Sequence, residues 1–398
     1  MSRGLAILWM HVQPFYRETS FFMSLPNAPG TISSEVSIMG VKPRKIRLEA
    51  STACQLHCPT CPTGVGRTQE RLGVGHLRFA DFSRLIDDNP FLTDVELSNW
   101  GEIFLDPELP SIVEHAYRRR VRLHADVGVN LNTLREETLE SLVRYRFRSM
   151  SCSIDGTSEA TYGSYRRDGS FEAVIGNIRR INEAKARHRT RFPHLKWQFI
   201  VFAHNQHEIP RARRLASELG MRFWLKLPWD DLYATGNAPP PGGDGVAKRE
   251  MGLGVASRDE FAAHYGERYA QKIMCSLLWH EPQINWDGRV LGCCVNHWGD
   301  FGNAFSEGLV PSLNGDRIRH ARSTLTGRLP IRHDVPCATC PHFRSMERAQ
   351  DWLTFGDLLT AGFLLRHRVA LQDDRLRPAL RPLLGLRKGV RALARFRS

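Results

Sequence analysis

The chain has 398 residues, 42% of them apolar and 24% charged, with a formal net charge of +13. This composition suits a globular protein of one large and one smaller domain and excludes a disordered or collagen-like chain. No apolar run reaches the roughly 20 residues that span a bilayer. The short apolar patch at residues 4–12 has no clear cleavage site after it, so a cytoplasmic location is expected.

Residues 1–44 show no period and carry turn formers at Pro26, Pro29 and Gly30, which reads as an extension. From Lys45, β-branched or apolar runs alternate with helical patterns. The runs lie at 46–50, 95–97, 121–129, 150–154, 198–202 and 223–227. The helical stretches lie at 82–88, 109–119, 136–146, 171–184 and 209–220. Six strand–helix repeats over 45–235 predict an α/β fold with a parallel sheet and right-handed crossovers, curled into a partial (β/α)6 barrel. In such sheets the chemistry sits beyond the carboxyl ends of the strands. Residues 236–273 read as a linker followed by a helix near 259–272. Residues 274–345 form a small unit with a hairpin, 283–286 against 289–291, turning at Asp287-Gly288 with type I′ geometry. Residues 346–398 read as a basic helical tail interrupted at Pro378 and Pro382. Ten Lys/Arg and two Asp between Arg366 and Ser398 carry eight of the thirteen net charges.

Nine cysteines without a secretion signal do not suggest a disulfide framework. Cys54, Cys58 and Cys61 form one tight group; Cys275, Cys293, Cys294, Cys337 and Cys340 form a spread one, so two metal sites are expected. The first trio directly follows the first strand. Three thiolates from one loop, with no fourth cysteine nearby, suit a [4Fe–4S] cube with one iron left open. A zinc ion, with His57 as a fourth ligand, is the competing occupant.

The Cys54-x3-Cys58-x2-Cys61 loop resembles the signature of radical S-adenosylmethionine (SAM) enzymes. Further segments follow in the family's order. Trp100-Gly101-Glu102 resembles the Gly-Glu motif, Asn130 stands where a ribose contact often lies, and Ser153-Ile154-Asp155-Gly156 resembles the Ser-Ile-Asp-Gly segment. Tyr165-Arg166-Arg167-Asp168-Gly169-Ser170-Phe171 follows as the Tyr-Arg-x-x-Gly-x-Phe stretch does. The resemblance implies that Gly101, Glu102, Asn130, Ser153, Asp155 and Arg166 bind SAM. Glu102 would take its amino group, and Ser153 and Arg166 its ribose and carboxylate. Thr60 departs from the pattern, because the family often places an aromatic or Met residue there against the adenine. Taken singly, Glu102 could be a helix N-terminal charge, Asp155 a loop cap and Arg166 a surface ion pair.

Residues 284–294, with Gly302-Asn303 and Cys337-x2-Cys340, resemble the twitch domain, the shortened form of the SPASM extension found after radical SAM barrels. That implies a second, auxiliary [4Fe–4S] cluster on Cys275, Cys293, Cys337 and Cys340. Cys294 is an alternative to Cys293, and zinc the alternative metal. Cys152 reads as a small core residue.

The resemblance implies an oxidoreductase that cleaves SAM reductively and abstracts a substrate hydrogen atom. An auxiliary cluster to receive a second electron makes dehydrogenation of a small polar, sugar- or cyclitol-like alcohol the natural outcome. A peptide or protein maturase of the SPASM type is the alternative. A non-catalytic scaffold, or a nucleic-acid modifier using the Arg-rich tail, is the alternative of another class. The implied partners are the small-molecule or peptide substrate and a one-electron donor such as flavodoxin or ferredoxin. The tail, poor in aromatics, suits a membrane surface better than nucleic acid.

Overall fold

The computed structural model describes residues 40–202, 204–228, 255, 258–265 and 270–366. Six strands lie in sequence order in one sheet: β1 Lys45–Leu48, β2 Asp94–Glu96, β3 Arg122–Val129, β4 Ser149–Ser153, β5 His194–Ile200 and β6 Arg222–Lys226. Every neighbouring pair among them is parallel. Strand order that never reverses is that of a barrel wall, not of a doubly wound sheet.

Alternation along each strand explains the arrangement. One set is apolar: Ile46 and Leu48, Val95, Leu123 and Ala125, Met150 and Cys152, Trp197 and Phe199, Leu225, all essentially buried. The amphipathic crossover helices supply matching apolar faces. Phe82, Leu85 and Ile86 come from α1 (Phe79–Asp88), Leu109, Ile112 and Val113 from α2 (Leu109–Arg118), and Leu139, Leu142 and Val143 from α3 (Glu136–Arg144). Val174, Ile178 and Ile181 come from α4 (Phe171–Arg187), and Ala212 and Ala216 from α5 (Ile209–Glu218). Each fully buried Leu or Ile contributes about 2 kcal/mol.

The alternate set is polar and hydrogen-bonds across the inside of the wall. Arg47 pairs with Glu281 at 3.2 Å, and Ser149 donates to Asp126 at 3.0 Å. Gln198 donates to Ser153 at 3.1 Å. A buried polar lining of this kind must be satisfied internally or by a ligand.

The sheet does not stop at the sixth strand. β7 (Gln283–Ile284) adds parallel to β1, pairing Arg47 with Gln283 and Leu48 with Ile284, and β8 (Val290–Gly292) returns antiparallel. The hairpin is therefore welded to the barrel's first strand. Its turn differs from the type I′ expectation. Gly288 donates to the Asn285 carbonyl at 3.0 Å and has φ 88°, whereas Asp287 is not at positive φ. A type I′ turn needs both central residues at positive φ, so this is the longer turn closed by a left-handed glycine.

Two other boundaries move. β5 begins at His194, four residues before the apolar run, because Lys196 is an inward member of the strand and masks the pattern. The expected helix near 259–272 is two helices, Arg258–Tyr265 and α6 (Gln271–His280), and Cys275 lies inside the second. The expected tail is helical at Pro341–Ala349 and Phe355–Arg366. The extension at 1–39, most of the linker and the tail beyond Arg366 lie outside the described residues. Among the described residues no helix is long and apolar enough to cross a membrane.

At the amino end of the barrel wall His124 bridges Asp94 (2.9 Å) and Asp126 (3.5 Å). Burial opposes the charged ring, but hydrogen bonds to Asp126 and Asp94 outweigh it and raise His124 above its ordinary 6.5. A raised histidine contributes stability that is complete below the unfolded value and lost as pH rises through the folded one. Thermal unfolding should show His124→Gln destabilised by about 2 kcal/mol at pH 6. The gap to wild type should narrow toward pH 9; a gap that widens contradicts this role.

Candidate active site

Beyond the carboxyl ends of β1 and β2 two loops interlock. Glu49, the residue after β1, is fully buried and accepts the backbone N–H groups of Trp100 (3.0 Å) and Gly101 (3.1 Å). Burial pushes its carboxyl up to about 8, against the backbone donors that lower it. Glu102 N donates back to Ala53 O at 2.8 Å. A Cβ on Gly101 would stand 2.1 Å from Ser51 O and 2.6 Å from Ala53 O, so only glycine allows the loops this close. The contact fixes the backbone that immediately precedes Cys54.

Glu102 is 1% exposed. Its carboxylate caps the short turn Ile103–Leu105 by accepting from Phe104 N and also accepts from Asn130 N at the end of β3. Burial pushes it up to about 7 against those donors. It lines the central cavity as well, so the capping role and the cavity role coexist. Asn130 Nδ2 reaches Gln55 Oε1 at 3.1 Å and Cys54 Sγ at 3.6 Å. Ser153 lines the cavity from the end of β4. Asp155 is buried and does not line the cavity; one oxygen accepts Arg166 Nε (2.7 Å) and Nη2 (2.6 Å), the other Ile200 N (2.6 Å). It aims Arg166, whose Nη1 stands 3.9 Å from Cys58 Sγ. Burial opposes the Arg166 charge, but Asp155 outweighs it and holds the guanidinium well above its ordinary value.

Cys54, Cys58 and Cys61 line the same cavity. Burial pushes the Cys54 thiol up to about 12 and the Cys58 thiol up to about 11. Such thiols become ligands only beside a cationic metal centre. Asn130 and Arg166 place N–H donors on two of the sulfurs, as iron–sulfur sites require of their surroundings. Three thiols with N–H donors on two of them fit a cluster. His57 is turned outward, 2.6 Å from Asp168 with both side chains about two-thirds exposed, and does not join them.

The second group gathers as well. Cys275 comes from α6, Cys293 follows β8, Cys337 lies in the turn Pro336–Thr339 and Cys340 directly follows it. Burial raises Cys275 well above an ordinary thiol, and Cys340, Cys293 and Cys337 beside it add to the effect. Cys337 is pushed up to about 12, by burial and then by Cys340. Four thiols suit a cluster by their chemistry, although among the described residues no three Cys, His, Asp or Glu side chains, in either cysteine group, stand close enough together to hold a metal ion. Cys294 lines the central cavity and also stands near Cys275 and Cys293, whose thiols it helps to raise; its carbonyl accepts Asn99 Nδ2 at 3.0 Å.

The cavity lined by the first group and by Cys294 measures about 510 Å³. Several of its residues were not singled out in the sequence, among them Asn99, Gln198, Trp224 and Lys226. Strand alternation was the available signal, and it was hidden on β5 by the misplaced start. Thr60, short where an aromatic is usual, donates to or accepts from Tyr165 OH at 2.9 Å. Tyr165 packs on Phe202 with ring centroids 4.3 Å apart. Both rings line the cavity, so its aromatic surface stands on those residues.

The model of the SPASM iron–sulfur cluster-binding domain matches residues 275–341. No curated protein sequence matches the chain. Among solved structures, Streptococcus suis SuiB bound to precursor peptide SuiA aligns at TM-score 0.56 and 14% identity, over 84% of this chain and 81% of that one. SuiB bound to S-adenosylmethionine aligns at 0.55 and 13%, over 78% and 73%. A histidine-tagged anSMEcpe with bound AdoMet aligns at 0.51 and 14%, over 85% and 98%. At such identities the likeness is one of fold.

Gly101→Ala should separate the interlocked loops, at a cost of about 2 kcal/mol. After anaerobic reconstitution it should retain less than about half the wild-type iron at the first site. Full iron with unchanged stability would show that the contact is dispensable.

Proposed function

We infer that this chain, which carries the radical SAM barrel fold and a SPASM iron–sulfur domain, oxidises a polar substrate held between two cysteine-ligated centres. The observation that carries the reading is one cavity lined by Cys54, Cys58 and Cys61 and also by Cys294, the chain neighbour of Cys293. When bound, a cluster with one open iron supplies the electron that cleaves SAM to a hydrogen-abstracting radical, and a fully thiolate-ligated second cluster supplies an electron acceptor.

The chain's own residues do the positioning. Cys54, Cys58 and Cys61 hold the first centre; Cys275, Cys293, Cys337 and Cys340 hold the second. Glu102 offers a carboxylate for the ammonium of SAM, and Arg166, aimed by Asp155, a guanidinium for its carboxylate. Tyr165 and Phe202 offer a flat apolar surface for the adenine. The remaining wall is mostly apolar, with Val129, Ile200, Ile273 and Leu277 among its residues, and Asn99, Lys226 and Gln198 stand in it as the groups that could hydrogen-bond a hydroxylated small molecule. Loss of a hydrogen atom and then of an electron and a proton from a carbinol carbon and its hydroxyl gives a ketone.

A second reading, a side chain of a peptide as the group oxidised, is favoured by one observation: the SuiB structure with a precursor peptide bound shares this fold.

Incubation of reconstituted protein with SAM, a reductant and a panel of C-deuterated cyclitols, sugars and peptides should transfer deuterium into 5′-deoxyadenosine from one polyol class. Transfer only from a peptide decides for the second reading; no 5′-deoxyadenosine at all overturns both. Glu102→Gln should weaken SAM binding by about tenfold or more, read by equilibrium dialysis.

A further inference from the structure

Gln198 lies two residues before the end of β5, directly opposite Ser153 in the register of β4 and β5. It is 2% exposed and lines the cavity. Its amide nitrogen is fixed by Ser153 Oγ at 3.1 Å. Its carbonyl oxygen is buried and has no hydrogen-bond partner among the described residues. Such an atom is rare in a folded interior, because burying an unpaired acceptor costs free energy that a partner restores.

Three neighbours keep this position open and oriented. Gly128, on the facing strand, has φ 153°, and a Cβ there would stand 2.8 Å from Ser153 Oγ and 3.2 Å from Gln198 Nε2. Any side chain at 128 would therefore press on the Ser153–Gln198 pair. Gly128 N in turn donates to Ser98 Oγ at 3.3 Å, which ties the third strand to the second at the same level. Trp197, the preceding residue, faces the other way and donates to Ile154 O at 2.8 Å, pinning the strand so that residue 198 points inward.

We propose that Gln198 is a ligand-binding residue whose side-chain amide takes a hydrogen bond from a ribose hydroxyl of SAM, next to Ser153. The chemistry required is that of a hydrogen-bond donor, an N–H or a hydroxyl. A carboxylate would be repelled by the carbonyl oxygen, and an apolar group would leave it unpaired. A hydroxyl both donates and accepts, so it pairs with an amide and with the adjacent Ser153 hydroxyl together. Within the proposed reading, Ser153 is the neighbour assigned to the ribose, which makes the ribose the nearer source of that hydroxyl than the substrate. The inference rests on the SAM-binding reading and extends it to a residue outside the motifs that suggest it.

The test is the dissociation constant of SAM measured by equilibrium dialysis on anaerobically reconstituted protein. It uses wild type and Gln198→Leu, with SAM and with a 2′,3′-dideoxy analogue of SAM. Iron content and melting temperature confirm that the variant is folded and loaded. Gln198→Leu should bind SAM about tenfold more weakly. Wild type should lose at least that factor toward the dideoxy analogue, which forfeits the Ser153 contact as well, and the two losses should not add, as expected for two halves of one contact. The arm with wild type and analogue needs no folded variant. Unchanged SAM affinity in Gln198→Leu, or losses that add fully, overturns the proposal and leaves the amide to a substrate hydroxyl. Wild type that binds no SAM is a distinct outcome, and it overturns the reading on which the inference rests.

Discussion

Gly101 lies so close to the carbonyl oxygens of Ser51 and Ala53 that no side chain fits between them, and the buried Glu49 carboxylate clamps the same loop from beneath. Most of the proposed chemistry depends on this contact. It sets the backbone entering Cys54, and it places Glu102 where one carboxylate can cap its own turn, hold the end of β3 and face the cavity. Asn130 extends the arrangement by joining the Glu102 carboxylate, Gln55 and the Cys54 sulfur. Because the geometry is carried by backbone contacts and buried carboxylates, it is preorganised rather than induced.

The barrel wall supplies the second condition. Its outward side chains bind the helices by apolar burial, and its inward ones form a polar lining that ends at the cavity. The β7–β8 hairpin continues the same sheet from β1, so the strand that leads into the first cysteine loop also carries the hairpin that leads into Cys293 and Cys294. One strand thereby relates the two cysteine groups, and Asn99 bonded to the Cys294 carbonyl adds a second tie.

The sequence made the six repeats legible because β-branched runs and 3.6-residue periods are local signals. The three-cysteine loop was equally plain, because its spacing lets three thiolates of one loop face one centre. The start of β5 was not legible. Lys196 is an inward-facing polar residue on a buried strand, and a hydropathy pattern reads such a position as loop. Glu49 was passed over for a similar reason: a buried carboxylate whose partners are backbone N–H groups fifty residues away leaves no trace in composition. Cys293 and Cys294 could not be separated from sequence, since both lie just beyond the end of β8, where strand parity no longer decides direction. Asp155 looked like a ligand contact and stands instead behind Arg166, a distinction that only the geometry draws.

The central claim is that three thiolates hold a cluster with one coordination position left for SAM. A variant with Cys275, Cys293, Cys337 and Cys340 all changed to Ala isolates that site. Its electron paramagnetic resonance spectrum, recorded after anaerobic reconstitution and reduction with and without SAM, tests the claim directly. The account predicts the signal of one reduced [4Fe–4S] cluster whose g-values shift when SAM is added. A spectrum indifferent to SAM, or a site filled with zinc, would contradict it.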